Sequence, residues 1–598
     1  MLVQRFISEF EERQAPSDER HHEQNQSTQK KFLEQVTALK AVFEDMGNPF
    51  MEESEDLYTL DSRIIMSQAV VKTVQGIQKF GGAQYNDFVK NRLQGSTPIT
   101  DTLPKNKLPL FNSPPAPTSQ SKHMLQMKAL KQDYSLFSRL YVACQSREGN
   151  LEEFFAHENQ SQLPSLSKAG VLRSGKKSDI LDCICTEASL SDSCPAVDAI
   201  ILDGPAIVHM LTSGSARTFS DYVDFFISHI QVNLKKASRV DVVFDVYRSD
   251  SLKAATRAKR GRGERRKVNL NSTMPKKWKE FLCVNENKEA LFELIAEGLK
   301  NTALLIDQEI HVTKGPEVLS VNSRHTLPAC THEEADTRLL LHTQDAVVHG
   351  CRRVCIRTVD SDVVVIATSL FSQISPEELW LVLGTTMKPK IIAVHELVAS
   401  LQPSKVNSLL FFHAFTGCDT TSAFAGRGKK TAWEVWKTFP EVTKAFRECL
   451  NGIEELSDKV ISPIERFTIL MYDRTSGSCD INEARRELFT KSPVTRLLEN
   501  IPPTKAPLIQ HLRRATMQAR IWANALVPAP EFPDPGAWGW MRNEDGWQPM
   551  WTTLPEAAKI CSELIHCGCK KSCASQRCKC TREKLNCTEL CACGGSCQ

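Results

Sequence analysis

Residues 354–366 read VCIRTVDSDVVVI. The run 354–357 is short and almost continuously apolar, and Asp360 and Asp362 follow it two residues apart. A strand with no polar alternation is one buried on both faces, which is the texture of a parallel sheet covered by helices. Working outward, the same texture recurs in Ala199-Ile200-Ile201-Leu202, in Val240-Asp241-Val242-Val243-Phe244 and from Leu379 to Leu383, with helical segments between. The fold class expected is therefore α/β, with a mostly parallel sheet flanked by helices. In open sheets of this kind ligands bind at the carboxyl ends of the strands.

Seven acidic residues stand just beyond such a run or open a helical segment. They are Asp203 in ILDGPA, Asp245 in VVFDVY, Glu334 and Asp336 in THEEADTRLLLH, Asp360 and Asp362, and Asp419 in FTGCDTTSAF. A lone strand-end aspartate is ordinarily a helix cap or a turn residue. Several carboxylates drawn to one edge of a sheet repel unless cations lie between them, so removing one should relieve repulsion in the metal-free protein. Oxygen-rich clusters suit Mg²⁺ or Mn²⁺. Two such ions about 3.5–4 Å apart activate water and stabilise the leaving oxygen in phosphodiester hydrolysis. His413, set between apolar residues in LLFFHAF, reads as a buried helix residue rather than a ligand.

The order and spacing of these segments resemble the flap-endonuclease/XPG-type 5′-nucleases of the PIN-like superfamily over roughly residues 197–440. The resemblance implies that Asp203 is the first metal carboxylate and Asp245 the second. It also implies that Lys253 and Arg260, in SLKAATRAKR, reach the scissile phosphate. Glu334-Ala335-Asp336 is similar to the family's Glu-Ala-Glu or Glu-Ala-Asp, and Asp360-x-Asp362 to its Asp-x-Asp. GCDTTSAFAGRGKKTAWEVW looks like its last carboxylate, here Asp419, followed by a helix–turn–helix. Gly426, Gly428, Lys429 and Lys430 would there meet a DNA phosphate. Cys418 replaces the family's usual serine, and the core starts near residue 197 rather than at the chain's beginning.

The last thirty-eight residues, from Cys561, hold ten of the twenty-one cysteines and little that could form an apolar core. Nine follow a regular spacing: Cys567, Cys569, Cys573, Cys578, Cys580, Cys587, Cys591, Cys593 and Cys597. Nine thiolates exceed one tetrahedral site, and a short segment without a core can draw its folding free energy from metal. The pattern resembles the CXC domain of tesmin-like proteins, which implies a cluster of about three Zn²⁺ that presents a loop to DNA. Arg577 stands where that family has an aromatic residue, and arginine suits a narrow, A·T-rich minor groove. A disulfide knot would use the same residue type. The start MLVQRFISEF lacks a signal-peptide core and the other cysteines are scattered singly, which favours a reducing, intracellular setting.

Between these landmarks the chain divides into a helical N-terminal region (1–110), a proline-rich linker with a helical segment (111–196), the core (197–440), a helical extension (441–527), a Trp/Pro-rich linker (528–560) and the zinc tail (561–598). The tryptophans of 528–551 are expected to pack on the preceding helices. With 74 Lys+Arg against 71 Asp+Glu, the net charge of +3 assigns no partner. The run 259–267, KRGRGERRK, is a local basic cluster of the kind used for nuclear import or nucleic-acid contact. No apolar run reaches the roughly eighteen residues of a membrane span. The expectation is a nuclear DNA-binding, metal-dependent structure-specific nuclease, with chromatin proteins as further partners and no membrane. The rival is a non-catalytic chromatin or transcription protein that uses the core as a scaffold, and an origin in a mobile element suits either.

Overall fold

The computed structural model describes residues 26–46, 56–59, 63–103, Phe137, Tyr141, Cys569 and 150–555. Within that last span, residues 160–162, 169, 187–188, 213, 215, 249, 254–262, 385–388, 452–454, 492–497 and 544–545 are excepted. The chain forms two compact units. The smaller one comprises residues 1–112, 215–223 and 263–290. It carries helices Gln26–Met46 and Gln68–Phe88, the latter running on into a π-helical turn at Val89–Leu93. An aromatic group of Phe219, Tyr222, Trp278 and Phe281 packs there with ring centroids 4.9 to 5.6 Å apart.

The larger unit comprises residues 113–214, 224–262 and 291–598, and is built on an eight-stranded sheet. Its strands are β1 (Leu190–Ser191), β2 (Ala199–Asp203), β3 (Arg239–Val243), β4 (Glu309–Lys314), β5 (Glu317–Val321), β6 (Arg353–Thr358), β7 (Glu378–Leu383) and β8 (Lys390–Ala393). They lie in the order β1-β8-β7-β6-β2-β3-β4-β5. The four runs picked out by their apolar texture are the adjacent strands β7, β6, β2 and β3. They pair in parallel, and β4 extends the parallel set. Every residue of β2 and β3 is buried, as strands covered on both faces require.

The structure adds antiparallel margins that the apolar-run criterion misses: β8 against β7, β1 against β8, and the β4–β5 hairpin. In EIHVTKGPEVLSV polar and apolar residues mix, and Gly315 turns the hairpin with a φ of +54°. That turn was the legible signal.

From the central β2 the chain adds β3 and β4 on one side, then β6 and β7 on the other. The strand order thus reverses between β2 and β6, which is where an open α/β sheet opens a crevice at its carboxyl edge. Register aligns that edge. Leu202 pairs with Arg357 and Asp203 with Val243, so the ends of β2, β3 and β6 lie level.

Helices α1 (Asp179–Ile184), α2 (Gly204–Met210), α3 (Ala335–Val348), α4 (Ser361–Ile374), α5 (Leu409–Phe415) and α6 (Lys429–Thr438) surround the site. Helices α7 (Val442–Leu450), α8 (Asp458–Tyr472), α9 (Ile481–Lys491) and α10 (Lys505–Ala523) follow, and share one hydrophobic core with the strands and with α4 to α6. The Trp/Pro-rich stretch is folded rather than a bare linker. A short antiparallel hairpin joins Trp540–Asn543 to Gly546–Pro549, and Trp538 and Trp540 pack on Met517 of α10, as expected of these tryptophans.

At the opposite, amino-terminal edge of the strands lies a buried polar network. Arg239 at the start of β3 donates to both oxygens of Asp241, at 2.8 and 2.9 Å, and to Asp345 of α3 at 2.7 Å. His342 of α3 contacts Asp241 through Nδ1 at 2.7 Å. Burial would push the Asp241 carboxyl up, but the bidentate guanidinium outweighs it and holds the group well below the usual carboxylate range.

Candidate metal centre

Six of the seven predicted carboxylates are positioned by a strand end or a helix start. Asp203 ends β2 and caps α2. Its Oδ1 accepts from the Ala206 amide at 3.1 Å and its Oδ2 from the Thr358 hydroxyl of β6 at 2.7 Å. Asp245, two residues past β3, accepts from the Ala335 amide at 2.8 Å and the Tyr247 hydroxyl at 3.0 Å, which ties the strand end to the start of α3. Glu334 immediately precedes α3 and Asp336 lies in its first turn. Asp360 caps α4 by accepting from the Asp362 amide at 2.9 Å.

Asp419 comes from the loop between α5 and α6. Gly417 has a φ of +109° there, and a Cβ on it would lie 2.8 Å from the Ala423 Cα, so both conformation and space require glycine.

Two lysines lie among these acids. The Lys177 ammonium, from the turn before α1, stands 3.0 Å from Asp360, 3.1 Å from Asp362 and 3.2 Å from Asp419. Lys253 pairs with Glu334. Burial alone would lower both ammonium pKa values, yet the facing carboxylates raise them above the ordinary lysine range.

The acids respond unequally. Burial raises Asp203 to about 7, with Asp245 and Asp360 adding to it and the Thr358 hydrogen bond opposing. Burial and neighbouring carboxylates likewise raise Glu334, Asp336 and Asp360. Asp362 is the exception. Burial works against its charge too, but His413, Lys177 and Lys253 outweigh it and hold the carboxyl far below its ordinary value. Protons taken up by these acids therefore go to Asp203, Glu334, Asp336 and Asp360 before Asp362.

His413 is the buried helix residue its apolar setting predicts, and it also serves the site. Burial lowers its pKa to about 4, so the ring is neutral near pH 7. Because the ionised Asp362 can only accept, Nε2 carries the hydrogen that it donates to Oδ1 at 2.9 Å. Lys177, Thr358 and this use of His413 were not singled out from sequence. Lys177 lies in a loop-rich stretch some twenty residues before the first strand of the parallel set, and nothing local marks it as a partner of Asp360.

All seven carboxylates and Lys253 thus meet at the carboxyl edge of β2, β3 and β6. The donor set fits a divalent cation. It offers oxygens alone, Asp336, Asp360 and Asp362 bring theirs within 4.8 Å of one another, and ammonium groups already serve as counter-ions.

The residues expected at a DNA phosphate separate. Gly426, with a φ of +64°, and Gly428, the residue before α6, lie in the turn preceding that helix. Lys430 is exposed and pairs with Asp182 at 2.8 Å. Lys429 is a correction. It is buried, donates to the His413 carbonyl at 2.8 Å and to the Thr416 hydroxyl at 2.9 Å, and burial lowers its pKa to about 8, so its ammonium is turned away from any ligand at the surface. Arg260, Arg577 and the nine tail cysteines other than Cys569 lie outside the described residues; Cys569 is half-buried.

The raised Asp203 pKa has a measurable consequence. The folded state holds this proton more tightly than the unfolded chain, whose carboxyl titrates near 3.8. Its stabilising contribution is therefore complete below the unfolded value and is lost as pH rises through the folded one, about 7. Without added divalent ions, Asp203→Asn should exceed the parent in stability at pH 8 by on the order of 2 kcal/mol. Urea melts should show the two converging near pH 4; a difference independent of pH would remove the explanation.

No family model matches the chain, and no curated protein matches it. Solved structures do. A phage T5 protein co-crystallised with metal ions is 13% identical, with a TM-score of 0.28 over 55% of this chain and 94% of that one. A T5 5′-exonuclease with bound divalent metal ions (zinc) is 15% identical, with a TM-score of 0.27 over 49% and 93%. Flap endonuclease-1 from Methanococcus jannaschii is 19% identical, with a TM-score of 0.25 over 44% and 76%.

Proposed function

We propose that this chain is a divalent-metal-dependent nuclease with a PIN-like, flap-endonuclease-like core that acts on DNA in the nucleus, where a zinc-bound CXC tail localises it. The observation that carries the reading is the convergence of seven acids from five separate segments on the switch point of the sheet. A cluster of that size, partly buried and mostly held by strand ends and helix starts, carries an electrostatic cost that a purely structural role does not repay.

Bound Mg²⁺ or Mn²⁺ would supply Lewis-acid activation of water and stabilisation of the leaving oxygen. The chain's own residues do the rest. Asp203, Asp245, Glu334, Asp336, Asp360, Asp362 and Asp419 form the acidic centre that would hold the divalent cation, while Thr358, Tyr247 and the Ala335 amide fix the carboxylates of the first two. His413 orients Asp362. Lys253, buried and paired with Glu334, would meet a phosphate by exchanging that carboxylate for it, and the turn at Gly426 and Gly428 would offer backbone amides to the nucleic-acid backbone.

One observation favours the non-catalytic scaffold reading: Lys177 and Lys253 neutralise part of the cluster without any metal. Cleavage assays separate the two readings. The full chain, incubated with flap, single-stranded and duplex DNA and with RNA, should cut DNA only when Mn²⁺ or Mg²⁺ is added, and elemental analysis should find about three tail Zn²⁺. Absence of cleavage with every metal and substrate would leave the scaffold reading in its place.

A further inference from the structure

Lys177 is held where it is by more than its charge. The Ala423 amide donates to the Arg173 carbonyl at 2.8 Å and the Ala425 amide to the Ser165 carbonyl at 2.9 Å, so the segment leading to Lys177 is stitched to the loop that carries Asp419. A Cβ on Gly175 would stand 2.8 Å from the Ala423 Cβ, which keeps the two strands of chain in close contact. Arg173 adds hydrogen bonds to the Pro164 and Ser167 carbonyls and an ion pair to Glu499 at 3.0 Å. On the far side, α1 packs on α6, and Lys430 of α6 pairs with Asp182 of α1. The ammonium is thus delivered by an anchored turn to three carboxylates that come from α4 and the α5–α6 loop.

The seven acids divide by the lysine they face. Asp360, Asp362 and Asp419 surround Lys177 within 3.2 Å, whereas Glu334 faces Lys253, Asp203 and Asp245 face hydroxyls and amides, and Asp336 stands between the two sets, within 4.8 Å of Asp360 and Asp362 and beside Glu334. We propose that Lys177 is a resident cation that permanently takes the place of one of two divalent ions, so the centre binds a single divalent ion on the side of Asp203, Asp245, Glu334 and Asp336. This rests on the nuclease reading and sharpens it to a one-metal-plus-ammonium centre. An ammonium carries half the charge of a divalent ion and offers donors rather than empty ligand positions. Lys177 therefore orients the carboxylates and neutralises charge but cannot itself polarise water as a metal does.

The test counts ions rather than turnover. The full chain, with its tail zinc in place, is titrated with Mn²⁺ and followed by calorimetry and electron paramagnetic resonance, with the double variant Asp203→Asn, Asp245→Asn as the blank for binding elsewhere. The parent should take up one ion above the blank, with the spectrum of an isolated Mn²⁺. Lys177→Met, which keeps the side chain's bulk and removes its charge, should take up two, with the exchange-coupled spectrum of a close pair. Lys177→Arg should restore the parent's count.

Equal counts in the parent and Lys177→Met overturn the inference, as does a coupled pair in the parent. Should the methionine variant not fold, the parent spectrum decides alone, an isolated ion upholding the inference and a pair overturning it. Metal-dependent cleavage together with equal counts would sink this inference and leave the nuclease reading intact; no bound Mn²⁺ at all would sink both.

Discussion

Alanine at Asp360 or at Asp362 is expected to cut metal-dependent DNA cleavage by about a thousandfold, while the two substitutions move stability differently. Losing a carboxylate of the centre, whether it meets the ion or the Lys177 ammonium, forfeits several kcal/mol of transition-state stabilisation, and each ~1.4 kcal/mol is tenfold in rate. Charge repulsion read from the sequence alone predicts that both metal-free variants gain stability. The pairing of the side chains says otherwise. Asp362 is 1% exposed and answers both Lys177 and His413, so Asp362→Ala leaves a half-buried ammonium short of one of its partners and a buried imidazole without an acceptor. That should cost about 3 kcal/mol.

Asp360 has a side chain 27% exposed and a raised pKa, so its removal relieves repulsion, offset by the loss of a helix cap worth about 1 kcal/mol. Asp360→Ala should therefore stay within about 1 kcal/mol of the parent. Urea denaturation without added divalent ions, run beside a single-turnover cleavage assay, checks both halves. Cleavage by both variants at the parent's rate would falsify the catalytic assignment, and equal destabilisation of the two would refute the pairing argument.

The sheet's interior was legible because burial on both faces leaves an apolar signature: β2, β3, β6 and β7 carry almost nothing else. The margins were not, since β5 is an edge strand paired on one side only, and β4 buries polar residues that find partners across the sheet, His311 on the Ser320 hydroxyl and Thr313 on the Phe244 amide. The acids were legible because strand ends and helix starts have their own residue preferences, and Asp203, Asp245 and Asp360 satisfy those preferences while facing one another. What periodicity could not supply is any contact made across long sequence separation by an unremarkable residue. Lys177 reaches Asp360 across 183 positions from a turn with no motif, and Lys429, which a Gly-x-Gly-x-Lys pattern directs to phosphate, is drawn inward by the carbonyl of His413. Both outcomes are decided by tertiary packing of α1, α5 and α6.

Asp241→Ala should be the most damaging substitution to stability, and it should spare the chemistry. Asp241 is fully buried, Arg239 is 1% exposed, and their two parallel hydrogen bonds account for two of the guanidinium's donors. Burial keeps His342 neutral, so its Nδ1–H donates to the same carboxylate and would lose its acceptor as well. Removing one partner of a buried ion pair costs about 3–5 kcal/mol, since the other charge stays buried. Asp345, at 2.7 Å, limits the loss without cancelling it, because it meets only one nitrogen of the guanidinium. Against a typical total of about 5–15 kcal/mol this is enough to leave part of the chain unfolded near its growth temperature.

Replacing both partners by apolar residues, Arg239→Met with Asp241→Leu, removes the stranded charge and should recover most of the deficit. The network sits at the amino-terminal edge of β3 and the metal carboxylates at the carboxyl edge. The folded fraction of either variant should therefore bind Mn²⁺ as the parent does. Chemical denaturation paired with a Mn²⁺ titration decides the matter. A single variant within 1 kcal/mol of the parent would mean that Asp345 alone satisfies Arg239, and a loss of Mn²⁺ binding in the recovered double variant would mean that the two edges of the sheet are not independent.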